Sequence, residues 1–114
     1  FGATLIGSVQ ALKTCLEGGG AGATVTCIMD EGTYSLGAGL SLNLTAARAI
    51  LSCPFGPSSA VFTIAGSGVA IGKASGAGAL EIEGCTIRDI GTASGTIAIE
   101  NAAVVRRVSI EAFH

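Results

Sequence analysis

Charge is scarce in this chain. Asp, Glu, Lys and Arg make up 12% of its 114 residues, about half the roughly 25% of an ordinary soluble domain. The formal net charge is -2, and the only adjacent basic residues are Arg106-Arg107. Nucleic acid demands a basic face, so that class of partner is excluded. Histidine occurs once, at His114, and no CxxC appears, which leaves too few ligands at workable spacing for zinc. No metal, cofactor or catalytic residue is expected. No apolar run approaches the ~18 residues of a membrane span, because Gly, Ser or Thr interrupts each one. The chain starts at Phe1, without Met or a signal peptide; maturation by cleavage, or a longer parent chain, is the expectation.

Apolar residues are plentiful, at 49% with a mean hydropathy of +0.67. At this length one domain, 1–114, with a modest core is expected. An apolar chain that cannot span a membrane hides its surface in stacked sheets or against neighbouring subunits. A slim solenoid of Ala, Gly, Ser and Thr that merely scores as hydrophobic is the competing reading.

Cys15, Cys27, Cys53 and Cys85 are even in number, which fits two disulfides and an oxidising compartment. Four cysteines allow three pairings. Cys15–Cys27 is favoured, as it would pin an N-terminal helix to the first strand and leave Cys53–Cys85; small buried thiols remain the alternative. Asn43-Leu44-Thr45 matches the N-glycosylation tripeptide, a match that also arises by chance.

Along the chain, Ser8 is placed to cap a helix over 9–17, with Val9, Leu12 and Leu16 on one face and Gly18-Gly19-Gly20 as its stop. This helix is expected to cover the open end of a strand stack. Strands follow over 23–29, 33–36, 40–44 and 48–52, alternating or rich in β-branched residues. The run 53–59 holds two prolines and reads as a loop. It carries Phe55, the best candidate for a surface aromatic, although packing onto the layer beneath is the favoured reading.

The sequence of helix 9–17, strand 25–29, Glu31-Gly32-Thr33-Tyr34 and an alternating Leu strand resembles the N-terminal entry into right-handed parallel β-helices of the pectin-lyase-like superfamily. The resemblance implies an all-β β-solenoid with a capping helix (8–17) and coils over 23–113. That superfamily includes polysaccharide lyases and hydrolases as well as adhesins, tail spikes and fibres. Its lyases cluster acidic calcium ligands beside a basic residue, and its hydrolases cluster aspartates. Here the two aspartates, Asp30 and Asp89, lie far apart, so no catalytic residue carries over.

Three similar segments, 61–66, 79–84 and 96–101, recur 17 to 18 residues apart, and short periods of this kind suggest a solenoid. Taken as one coil each, they place Phe62–Leu80–Ile97 and Ile64–Ile82–Ile99 in inward ladders, with Leu44 below Ile64. Gly66, Gly84 and Asn101 then form a bend ladder, since Gly and Asn reach positive φ readily. Asn101 also looks like the bend asparagine of that superfamily, a position from which Ala46 departs. The same alignment stacks Glu83 beneath Glu100, a pair that could bind calcium or share a proton, and sets Asp89 beside Arg107. A solvated face of cross-coil ion pairs with Arg88 and Arg106 is the simpler reading.

A final strand is expected over 104–113 and leaves an uncovered edge, for which three readings compete: a truncated chain, a longer protein that supplies the next coils, or subunits stacked end to end. The function expected is that of a non-catalytic, extracellular or cell-surface structural protein that assembles with itself end to end into a filament, sheath or surface layer. The alternative is a polysaccharide-binding or polysaccharide-cleaving module, with a glycan as partner.

Overall fold

A computed structural model describes residues 5–37, 39–54, 60–66, 68–91 and 96–111; Phe55 and His114 lie outside them. Among these residues the chain is all-β, with mostly parallel strands and one short helix, α1 (Val9–Glu17). The helix begins where expected because the Ser8 hydroxyl accepts the Ala11 N–H at 3.1 Å, and it stops at Gly18, whose N–H donates to the Cys15 carbonyl. Leu12 and Leu16 are fully buried on its inner face.

The strands run β1 (Thr24–Ile28), β2 (Gly32–Ser35), β3 (Leu40–Asn43), β4 (Arg48–Ser52), β5 (Ala60–Ile64), β6 (Val69–Ser75), β7 (Ala79–Glu83), β8 (Thr86–Asp89), β9 (Ile97–Glu100), β10 (Ala102–Arg106) and β11 (Ser109–Glu111). They are dealt in turn to three sheets. Sheet 1 is ordered β1-β4-β7-β10, sheet 2 is β2-β5-β8-β11 and sheet 3 is β3-β6-β9. Every strand pairing is parallel, which is compatible with a solenoid in which three strands make one circuit. The helix lies over the first circuit: Leu12 and Leu16 join a core with Cys27, Met29, Leu42 and Leu44, and α1 packs on β1, β3 and β4.

The register corrects the expected ladders. Paired residues are 22 (Leu80↔Ala102) to 32 (Asn43↔Ser75) positions apart, not 17 or 18. Phe62 lies between Tyr34 and Ile87, Ile82 between Leu51 and Val105, and Ile99 beside Ile71. The three similar segments are β5, β7 and β9, one strand from each sheet. The difference has a simple cause. Any strand buried on one face alternates with period two, so similarity between strands does not say which are neighbours. Leu44 is likewise not below Ile64, because its N–H donates to Ser75 beside sheet 3. Gly66, Gly84 and Asn101 end strands of three different sheets and form no ladder. Gly84 (φ 75°) and Asn101 (φ 59°) do have left-handed backbones. The single strand expected over 104–113 is two, β10 and β11, separated by a bend at Arg107 (φ 51°).

Two disulfides cross-link the molecule. Cys15–Cys27 ties α1 to β1, and Cys53–Cys85 ties the residue after β4 to the corner after β7. This is the favoured pairing, and it fits an oxidising environment.

Candidate functional site

The outward positions of parallel strands stack in rows about 4.8 Å apart, so charges meet across strands rather than along them. On sheet 1, Arg48 of β4 grips Glu81 of β7 through two hydrogen bonds of 2.6 and 2.9 Å. Glu81 is 7% exposed, and the Arg48 guanidinium holds its carboxyl below the usual carboxylate range, with the charge of Arg106 adding to the effect. Glu83 pairs with Arg107, one circuit on. On sheet 2, Arg88 bonds Glu111 at 2.8 Å. At the helix end, Glu17 accepts from Lys13 at 2.7 Å and from the Asn43 N–H at 2.8 Å, and both bonds lower its pKa, the lysine more. Arg48–Glu81, Arg107–Glu83 and Arg88–Glu111 are cross-strand ion pairs, and Lys13–Glu17 is a pair one turn apart on the helix.

The acid pair expected at Glu83 and Glu100 does not form. Glu83 lies in β7 of sheet 1, whereas Glu100 lies in β9 of sheet 3 opposite Gly72. Two carboxylates on different faces cannot share a proton or a calcium ion, so the motive for acid–base or metal chemistry goes with them. Asp89 is not beside Arg107 either: it takes an inward position next to Ile64, and its Oδ1 accepts the Gly91 N–H at 2.9 Å. Among the described residues its Oδ2 is buried without a hydrogen-bond partner. Among the described residues no three His, Cys, Asp or Glu side chains group together as metal ligands. Among the described residues no helix is long and apolar enough to cross a membrane.

Two open depressions mark sheet 3 and its corner with sheet 1. The first, of about 220 Å³, is lined by Ser41, Gly72, Lys73 and Glu100 among others. The second, of about 640 Å³, runs along 73–79 and 101–103, where nearly every side chain is Gly, Ala or Ser.

The most distinctive surface is apolar. Ile97, Val105 and Ile110 are 43%, 48% and 51% exposed. Each belongs to the last described strand of its sheet, β9, β10 or β11. In the preceding circuit, Val105 has Ile82 as its register partner and Ile110 has Ile87, both fully buried, while Ile97 faces the half-buried Val69. These apolar side chains are thus exposed on the last described strand of each sheet. Sequence reasoning expected a bare edge here but assigned Ile97 to the wrong neighbour, Leu80, where the register gives Val69. A usable signal was present: a Cys53–Cys85 bond implies neighbouring strands about 32 residues apart, which leads to Arg48–Glu81 and to Leu51–Ile82.

No protein-family model, no curated protein and no solved structure matches the chain.

Proposed function

We propose that this is a non-catalytic structural domain of the right-handed parallel β-helix class, pectin-lyase-like in its entry, that works outside the cell or at its surface and associates with its own kind. The observation that carries this reading is the apolar surface of Ile97, Val105 and Ile110 at three unpaired strand edges. Unpaired strand edges template further strands, and one more layer would bury all three side chains. The charges nearby do not oppose a second copy as that layer: Arg107 and Glu111 are already paired with Glu83 and Arg88, and the remaining Arg106 and Glu100 are of opposite sign.

At the other end α1 packs over β1, β3 and β4, so the two ends are unlike and do not match for simple head-to-tail growth. Contact between like ends gives a two-fold pair. A filament, sheath or layer then requires side contacts between pairs. The polysaccharide reading loses the Glu83/Glu100 pair and keeps only the family resemblance as its motive, so it stands second. Two disulfides support an oxidising location.

The test is light scattering behind size exclusion over a range of concentrations. The mass of a dimer is expected, falling to that of a monomer when Val105→Lys and Ile110→Lys are combined. A wild-type chain that stays monomeric at high concentration overturns the proposal.

A further inference from the structure

We propose that Asn43 is an N-glycan acceptor, a modification site independent of the self-association surface. Asn43-Leu44-Thr45 matches the acceptor tripeptide, and the fold presents it in usable form. Leu44 is 0% exposed, whereas Asn43 and Thr45 on either side are exposed. The buried leucine anchors the tripeptide to the core, and the alternation of an extended chain sets amide and hydroxyl on the same outer side. The backbone is held as well, because the Asn43 N–H donates to Glu17 and the Leu44 N–H to Ser75. The Ser75 hydroxyl donates to Asn43 Oδ1, which orients the carboxamide. Among the described residues no hydrogen bond engages Nδ2, the atom that a glycan would occupy.

Space beside the amide is a second, separate observation. Ser75, the register partner of Asn43, lines the depression of about 640 Å³. Its floor lies against the acceptor segment: a Cβ on Gly76 would collide with the Leu44 carbonyl oxygen, and one on Gly78 with that of Ala46. Side chains this small leave room for the first sugars. Asn43 sits on β3, two strands from β9 in sheet 3, or about 10 Å, so a glycan there leaves the last circuit open. Both disulfides point to an oxidising compartment, which includes the lumen where secreted proteins mature.

The co-reactant is an oligosaccharide carried on a lipid pyrophosphate. Nδ2 forms a bond to the C1 of the first sugar as the C1–O bond to pyrophosphate breaks. The lipid pyrophosphate leaves with the electron pair, and the amide proton passes to a base of the transferring enzyme.

The experiment secretes the full chain from eukaryotic cells and reads intact mass and peptide maps, with and without an amidase that removes N-glycans. The expected result is one glycan on the peptide holding Asn43, lost with Asn43→Gln and with Thr45→Ala but retained with Thr45→Ser. Non-reducing maps of the same material check that both disulfides formed. A secreted, disulfide-bonded wild-type chain with Asn43 unmodified overturns the proposal. So does a glycan that persists in both Asn43→Gln and Thr45→Ala. Should those two variants fold poorly, wild type and Thr45→Ser still decide between the outcomes.

Discussion

Single residues in this molecule act where strands stop. Gly84 turns the chain after β7 with φ 75°, and a Cβ there would lie 2.6 Å from the Cys53 carbonyl oxygen. Because the obstacle is backbone, it has little freedom to yield. Gly84→Ala is expected to cost about 1–3 kcal/mol from backbone strain before any clash, read as a lower denaturant midpoint with an unchanged slope. Charged residues contribute differently. Glu81 and Glu17 are both held below the usual 4.5, chiefly by Arg48 and by Lys13. A carboxyl with a depressed folded-state pKa adds stability that is present above the unfolded value and lost as pH falls through the folded one. Stability is therefore expected to decline as pH drops through and below 4.5. Glu81→Gln should flatten that decline, measured as denaturation midpoint against pH, and an identical pH profile in the variant would count against the pair. The helix cap at Ser8 was readable in advance because caps are local chemistry. Arg48–Glu81 was not, because its partners are 33 residues apart and meet only through strand register.

Elements divide into those stable through their neighbours and one held by a covalent tie. The nine residues of α1 are too few for a helix to persist alone in water. Burial of Leu12 and Leu16 and the Cys15–Cys27 bond hold it over the first circuit. Combining Cys15→Ser with Cys27→Ser is expected to cost about 2–4 kcal/mol, and limited proteolysis should then cut within α1 before the strands. Cutting elsewhere first would show that the helix is held by packing alone. Strand existence was legible at β1 through β4 because period-two alternation and turn residues are local signals. Strand partnership was not: β5, β7 and β9 look alike in sequence, yet they belong to three sheets.

At the scale of the whole molecule, the two ends of the stack differ. One carries α1 packed on β1, β3 and β4; the other exposes Ile97, Val105 and Ile110 on the last described strands. An interface built on those side chains is apolar at its centre, with Arg and Glu at its rim. Screening weakens exposed charge pairs but hardly touches apolar burial. The proposed dimer is therefore expected to persist in high salt, with light scattering again the measurement. A dimer that dissociates with added salt would assign the contact to Arg106, Arg107, Glu100 and Glu111 instead. The apolar, charge-poor composition is what motivated the expectation of a contact of this kind. Its location depended on which strands fell last in each sheet.

The sequence by itself determined the all-β character, the capped helix over Val9–Glu17, the first four strands and the pairing favoured for the cysteines. These follow from alternation, capping and turn chemistry, which act over a few residues. Tertiary structure alone decided the register. Because connections of varying length separate neighbouring strands, partners lie 22 to 32 positions apart, and no local pattern encodes that distance. Register then separated Glu83 from Glu100, joined Arg48 to Glu81, and set Asn43 beside Ser75.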